Sequence, residues 1–392
     1  MHSDRYVDLK WAPTRGIGAH TAACGLRMTW TVETASPPGA LDAIEMVSPG
    51  MRKRVEHLLA LAMGALARVR RRACSNEHQR AIPGAGGSGA WFHSSGVRTQ
   101  AMLALGLGYV PFEAQRRILS GGIAADLALI CATRAEFCDD SGAIALAAWA
   151  ASETAEIPVP RLLGRLSDML LRRGLLSATD CSWILTAALA AGCGEDALAR
   201  SAAERLVEAQ SPSGLFLAGG RGGQRTRIAC FTDQAYAILA LARFAEAFRD
   251  RRAMAAAERC ALRICALQGK GGQWWPHYEV GTGDKAWAPA PGRNFYQQAL
   301  GPLALLQLWK CGGSENLGAV VRGLEFPEEN PGINAGRSVA LAGSEFPGKT
   351  DGRRFWRWLE TISPLNRNDQ EYRPGELGLL LYTWLSHTEH PR

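Results

Sequence analysis

"DSGAIALAAWA", residues 140–150, opens with an acid, a hydroxyl and a glycine and then runs through eight apolar residues in succession. A surface helix keeps a polar face, whereas a helix that is apolar all round is buried on every side. Five other segments share the design: "VRTQAMLALGLGY" from Val97, "DCSWILTAALAA" from Asp180, "DQAYAILALARFA" from Asp233, "YQQALGPLALLQLW" from Tyr296 and "GELGLLLYTWL" from Gly375. Each begins with polar or charged residues, or with glycine, and continues into Ala and Leu.

Amphipathic helices decorated with Arg and Glu lie between them, such as "RLLGRLSDMLLRRG" (161–174) and "DALARSAAERLVEAQ" (196–210). Buried and surface helices therefore alternate. Arg98 to Asp140 is 42 residues and Asp140 to Asp180 is 40, each the length of a helical hairpin with its loops. Repeats at such a period stack into an array or close into a ring. Six fully buried members favour closure, because an open array leaves its inner helices half exposed. The expected fold is all-α, an (α/α)6 toroid of helical hairpins over residues 51–392, preceded by an irregular N-terminal arm over residues 1–50.

The composition fits a globular chain: 47% apolar and 21% charged, with a net charge of +7. The basic residues are scattered, which gives no support to a nucleic-acid partner. The ten cysteines contain no C-x-x-C pair and several sit inside apolar runs, so they read as small buried hydrophobes in a reducing compartment. No H-x-H or H-E-x-x-H spacing suggests a metal site, and no cofactor is implied. The N-terminus lacks the apolar core of a signal peptide, which points to a cytoplasmic protein. The segment "MRKRVEHLLALAMGALARVRRR" (51–72) has an apolar centre too short to span and arginines at both ends. It reads either as an outer helix with solvated ends or as a peripheral contact with an anionic membrane surface.

In a toroid of hairpins the inner helices surround a central cavity and their N-termini open towards one mouth. The entrances carry Arg98, Asp139, Asp140, Asp180, Asp233, Tyr296 with Gln297 and Gln298, and Glu376. Asp at a helix entrance also caps, accepting orphan N–H groups for about 0.5–2 kcal/mol. Capping and catalysis are both open for Asp140, Asp180 and Asp233, and their convergence on one mouth is the argument for catalysis. At the sixth entrance, Arg373 is suited to hold a carboxylate or phosphate, or to pair with Glu371. The loop "CALQGKGGQWWPHYEVGTG" (265–283) feeds the fifth inner helix, so Trp275, His277 and Tyr278 are candidates for the cavity wall.

Two motifs in these loops bring in a family. "QGKGGQW" (268–274) fits the Q-x-x-x-G-x-W repeat of squalene–hopene cyclases, and "QSPSGLF" (210–216) is the same pattern with Phe in place of Trp. The chain resembles the terpenoid cyclase and protein prenyltransferase α/α-toroid superfamily. In that family the motif's Gln caps a helix end and its aromatic stacks beneath, tying adjacent hairpins. The resemblance implies isoprenoid chemistry, with aromatic faces steadying a carbocation. Its signatures are incomplete here. Of the D-x-D-D acid motif only Asp233 stands in "CFTDQAYAI", with Cys230 and Thr232 at the other acidic positions. Neither the D-x-C zinc pattern of the prenyltransferases nor a magnesium-binding D-D-x-x-D helix occurs.

Three functions compete. The first is acid/base chemistry on an isoprenoid or other lipid, carried by Asp233, Asp140 and Asp180, with Arg98, Trp275, His277, Tyr278, Tyr296, Gln297, Arg373 and Glu376 around the substrate. The second is glycan processing, in which tryptophans stack on sugar rings and carboxylates act as acid and base. The third is non-catalytic binding. An apolar, aromatic-lined cavity favours isoprenoids, and an open acidic one favours glycans.

Overall fold

The computed structural model describes residues 39–77, 96–172, 176–192, 196–219, 227–286, 295–326 and 374–387. In chain order its first helices are α1 (Ala40–Val47), α2 (Met51–Glu77), α3 (Val97–Leu107), α4 (Phe112–Ile118), α5 (Ala124–Ala135), α6 (Ser141–Ala155) and α7 (Pro160–Leu171). Then come α8 (Ala178–Ala191), α9 (Asp196–Glu208), strand β1 (Ile228–Cys230), α10 (Phe231–Phe248), α11 (Arg251–Ala266) and strands β2 (His277–Glu279) and β3 (Asp284–Lys285). A π-helical turn, Tyr296–Leu300, leads into α12 (Gly301–Lys310), followed by α13 (Leu317–Glu325) and α14 (Pro374–Leu385).

Helices α3, α6, α8, α10, α12 and α14 pack each against the next, and α14 returns onto α3, so the ring closes. These are the six apolar segments of the sequence. In α6 every residue from Gly142 to Ala151 is buried. The outer layer is α2, α5, α7, α9, α11 and α13, each packed on the inner helices it flanks. The α3–α14 seam depends on two glycines. A Cβ on Gly106 would lie 1.9 Å from the Gly378 carbonyl oxygen, and one on Gly378 would lie 2.5 Å from the Leu103 Cα. Nothing larger fits that crossing.

The fifth inner helix opens irregularly for a chemical reason. Pro302 has no N–H to donate, so the Gln298 carbonyl loses its helical partner. The Trp384 indole N–H takes that carbonyl at 2.8 Å, and the Thr383 hydroxyl reaches the Ala299 carbonyl at 3.2 Å. The π-turn is thereby stitched to the last inner helix.

Both Q motifs act as ties, with matching geometry. Gln210 Nε2 donates to the Gly214 carbonyl within its own turn and to the Ala256 carbonyl of α11, both at 2.8 Å. Gln268 Nε2 donates to the Gly272 carbonyl at 2.8 Å and to the Ala319 carbonyl of α13 at 2.9 Å. Each motif glycine has positive φ, and a Cβ on Gly272 would lie 1.9 Å from the Arg322 carbonyl oxygen. Phe216 and Trp274 are fully buried beneath these turns, and Trp274 stacks on Phe231 at 5.7 Å. Outer helices α9 and α11 are thus each fastened to the next hairpin.

Two features depart from the sequence expectation. Part of the N-terminal arm is regular: "ALDAIEMV" buries Ala40, Leu41, Ala43 and Ile44 in α1, which packs on α2 and α13. Strands β1, β2 and β3 form an antiparallel sheet, pairing Ala229 with Tyr278 and Cys230 with His277. They are two and three residues long, too short to show an alternating period. Segment 51–72 lies in α2, whose Val55, Leu58, Ala62 and Leu66 are buried, while Leu61 remains exposed. Among the described residues no helix is long and apolar enough to cross a membrane, and no group of His, Cys, Asp and Glu is placed to hold a metal ion.

Candidate functional site

The N-terminal ends of α3, α8, α10 and α14, with Phe295 before the π-turn, meet around a cavity of about 400 Å³. Its polar wall comprises Arg98 and Thr99 of α3, Ser177, Thr179 and Asp180 at the start of α8, Thr232 of α10, and Glu376 of α14. Trp183, Tyr236, Phe295 and Met102 supply the apolar faces. Trp183 and Tyr236 meet edge to face with centroids 5.2 Å apart. Each sits three residues after an entrance acid, Asp180 or Asp233, and so shares its helix face. Sequence reasoning passed over both, although that spacing was readable.

Arg98 organises one side of the mouth. Its Nε donates to Asp140 Oδ2 at 2.7 Å and its Nη2 to Asp140 Oδ1. Nη2 also lies 3.6 Å from Asp180 Oδ1, and the guanidinium carbon sits 5.2 Å from the Trp183 ring centroid. Three inner helices are joined at their entrances by this one side chain. Partial burial opposes ionisation of Asp140, but the Arg98 pair and the Gly142 N–H outweigh it and hold the carboxyl below its usual range. Asp180 completes a capping box with Ser177: the Ser177 hydroxyl accepts from the Asp180 N–H at 2.9 Å, and the carboxylate accepts from the Ser177 N–H at 3.4 Å. It caps and still faces the cavity.

Asp233 differs. It is 5% exposed and is not among the residues lining the cavity. Its Oδ2 accepts from the Cys230 N–H at 3.0 Å and its Oδ1 from the Thr179 hydroxyl at 2.7 Å. One carboxyl thus caps α10 and ties it to α8 through a residue that does line the cavity. Burial pushes its pKa up, against the donors from Thr179 and Cys230.

The other expected residues divide in the same way. Arg98 and Glu376 line the cavity. Tyr278 is fully buried in the core, its ring 6.4 Å from Phe231, because strand alternation turns it inwards. His277 is half-buried on β2, and burial lowers its pKa. Trp275 donates its indole N–H to the Leu267 carbonyl at 2.9 Å, and Lys285 Nζ covers its ring at 4.4 Å. Tyr296 packs on Phe231 at 5.1 Å, and Gln297 is buried with its Nε2 donating to the Trp274 carbonyl at 3.3 Å. Arg373 lies outside the described residues. The WWPHY loop therefore braces the α10 entrance, and none of these five side chains lines the cavity.

No protein-family model matches the chain, and no curated protein matches its sequence. Among solved structures it is similar to the unsaturated glucuronyl hydrolase of Bacillus sp. GL1, at 13% identity over 69% of this chain and 82% of that one, with a TM-score of 0.45. It is also similar to cellobiose 2-epimerase from Bacillus thermoamylovorans, at 14% identity over 59% of this chain and 71% of that one, with a TM-score of 0.37. Both likenesses are loose. The toroid rests on the helix order and packing of this chain itself.

Proposed function

We propose that the chain is a carbohydrate-active enzyme that holds a saccharide at the mouth of its toroid and acts on it by acid/base chemistry. The observation that carries this reading is the character of the cavity wall. Two carboxylates, Asp180 and Glu376, stand among the hydroxyls of Ser177, Thr99, Thr179 and Thr232, with the Trp183 and Tyr236 rings beside them. Sugars present hydroxyls to polar groups and C–H faces to aromatic rings, and their bond-making and epimerising chemistry needs a positioned acid and base. At about 400 Å³ the cavity falls within the range of small-molecule sites. Asp180 and Glu376 are the acid/base pair in this reading, Arg98, held by Asp140, orients Asp180, and Asp233 acts only through Thr179.

Isoprenoid chemistry is the second reading, favoured by the two Q ties. Those ties hold hairpins together and their residues do not line the cavity described above, and the acid which that resemblance implies, Asp233, points at backbone and Thr179. Product analysis by mass spectrometry separates the two. Purified protein is incubated with a panel of neutral and acidic oligosaccharides and, in parallel, with linear isoprenoid alcohols, their diphosphates and squalene. Cleavage or epimerisation of a saccharide is the expected result. A cyclised or rearranged isoprenoid, with every saccharide unchanged, would overturn it.

A further inference from the structure

The charges around Arg98 bear on which saccharides the cavity accepts, and this step rests on the saccharide reading. A free arginine clamps a carboxylate with two parallel N–H donors. Arg98 has spent that edge: Nε and Nη2 both donate to Asp140, and Nη2 also lies 3.6 Å from Asp180 Oδ1. Gly142 makes this seat possible, since a Cβ there would lie 2.6 Å from Arg98 Cζ and 2.7 Å from Asp180 Oδ1. One positive charge is thus answered by two negative ones. The entrances of α6 and α8 are occupied too. Gly142 N–H donates to Asp140 Oδ1 at 3.1 Å, and Ser177 N–H donates to Asp180 Oδ2.

We infer that the cavity takes saccharides whose bound residue is neutral and excludes uronates and other acid-bearing sugars, with Asp140 as the specificity-determining residue. Among the described residues of the cavity wall Arg98 is the only cation, and an incoming carboxylate meets it already paired with Asp140 and beside Asp180. Asp140 produces this selectivity by occupying the Nε–Nη2 edge of Arg98.

The test compares kcat/KM for neutral oligosaccharides with that for the same oligosaccharides carrying a 6-carboxylate, in the wild type and in Asp140→Asn. Asn caps a helix as well as Asp does, so the variant folds, and a melting curve checks this. The wild type should prefer the neutral sugar by about tenfold or more, with the gap shrinking as salt is raised. Asp140→Asn should narrow the gap, mainly by lowering KM for the acidic sugar. Equal or better turnover of the acidic sugar by the wild type sinks the inference and leaves the saccharide reading standing. A gap that Asp140→Asn does not change removes Asp140 from the role. If no saccharide is turned over, both fall together.

Discussion

The two ends of the barrel use the same pieces. At the mouth, Arg98 lies 5.2 Å from the Trp183 ring and pairs with Asp140 and Asp180. At the opposite end, Arg243 lies 5.6 Å from the Trp149 ring and 3.5 Å from Glu153. What differs is completion. Glu153 accepts from the Tyr109 hydroxyl at 2.8 Å, the Tyr382 hydroxyl at 2.7 Å and the Trp149 indole at 2.5 Å, while Arg243 also donates to Tyr382 at 2.6 Å. Burial would raise the Glu153 carboxyl, but Arg243 and these three donors outweigh it and keep it below the usual carboxylate range. The far end is a sealed plug in which the Tyr109, Tyr382 and Trp149 donors converge on Glu153. At the mouth the Arg98 side chain is 42% exposed beside a cavity. Chemistry of one kind closes one end and equips the other.

If that contrast is right, damage to the sealed end should appear as lost stability. Glu153→Gln leaves Arg243 buried without its counter-charge. The expected loss is about 3–5 kcal/mol in a denaturant titration, because breaking a buried pair strands a charge. Turnover per folded molecule should be unchanged. A melting curve like that of the wild type would mean that the plug is not a plug.

Acid should also act at the sealed end. His387 is buried there with Nδ1 2.8 Å from the Thr383 carbonyl, and burial pushes its pKa down to about 4. The unfolded chain therefore binds the proton first. Stability is full above the unfolded value near 6.5 and is lost as pH falls from there towards 4, by on the order of 3 kcal/mol in total. Urea unfolding from pH 7 to pH 4 should show that slope, and His387→Asn should flatten it. A slope that survives the substitution belongs to another group.

The smallest stability effect belongs to the mouth. Asp233→Asn keeps most of the cap, so it should cost no more than about 1 kcal/mol. Its pH dependence has the opposite sign to that of His387. With a raised folded pKa, Asp233 contributes stability that is present below the unfolded value and lost as pH rises through the folded one. The variant should therefore fare relatively better at neutral pH than in acid. Calorimetric melting of both proteins across that range checks it, and an equal deficit at every pH would contradict it.

The ring was legible because burial on every side leaves no polar stripe in a helix, as residues 143–150 show, and the Q motifs were legible because their turn requires a fixed spacing. The site was legible only as a set of entrances. Position along a helix does not say which way a carboxylate turns: the capping box swings Asp233 onto Cys230, while Asp180 makes the same box and still faces the cavity. The sealed end was invisible. Glu153 and Tyr382 are 229 residues apart, and no local pattern joins them.

The central claim is that the cavity-lining carboxylates, Asp180 and Glu376, do chemistry and the buried ones, Asp233 and Glu153, do not. Asp180→Asn tests it most directly, measured as turnover of a saccharide substrate together with a melting curve. The expected result is a loss of about 10²–10⁴-fold in kcat with the melting temperature nearly unchanged, since Asn preserves size and most of the capping. Turnover within a fewfold of the wild type, or a loss matched by unfolding, would show that Asp180 is a cap like Asp233 and that the chemistry lies elsewhere.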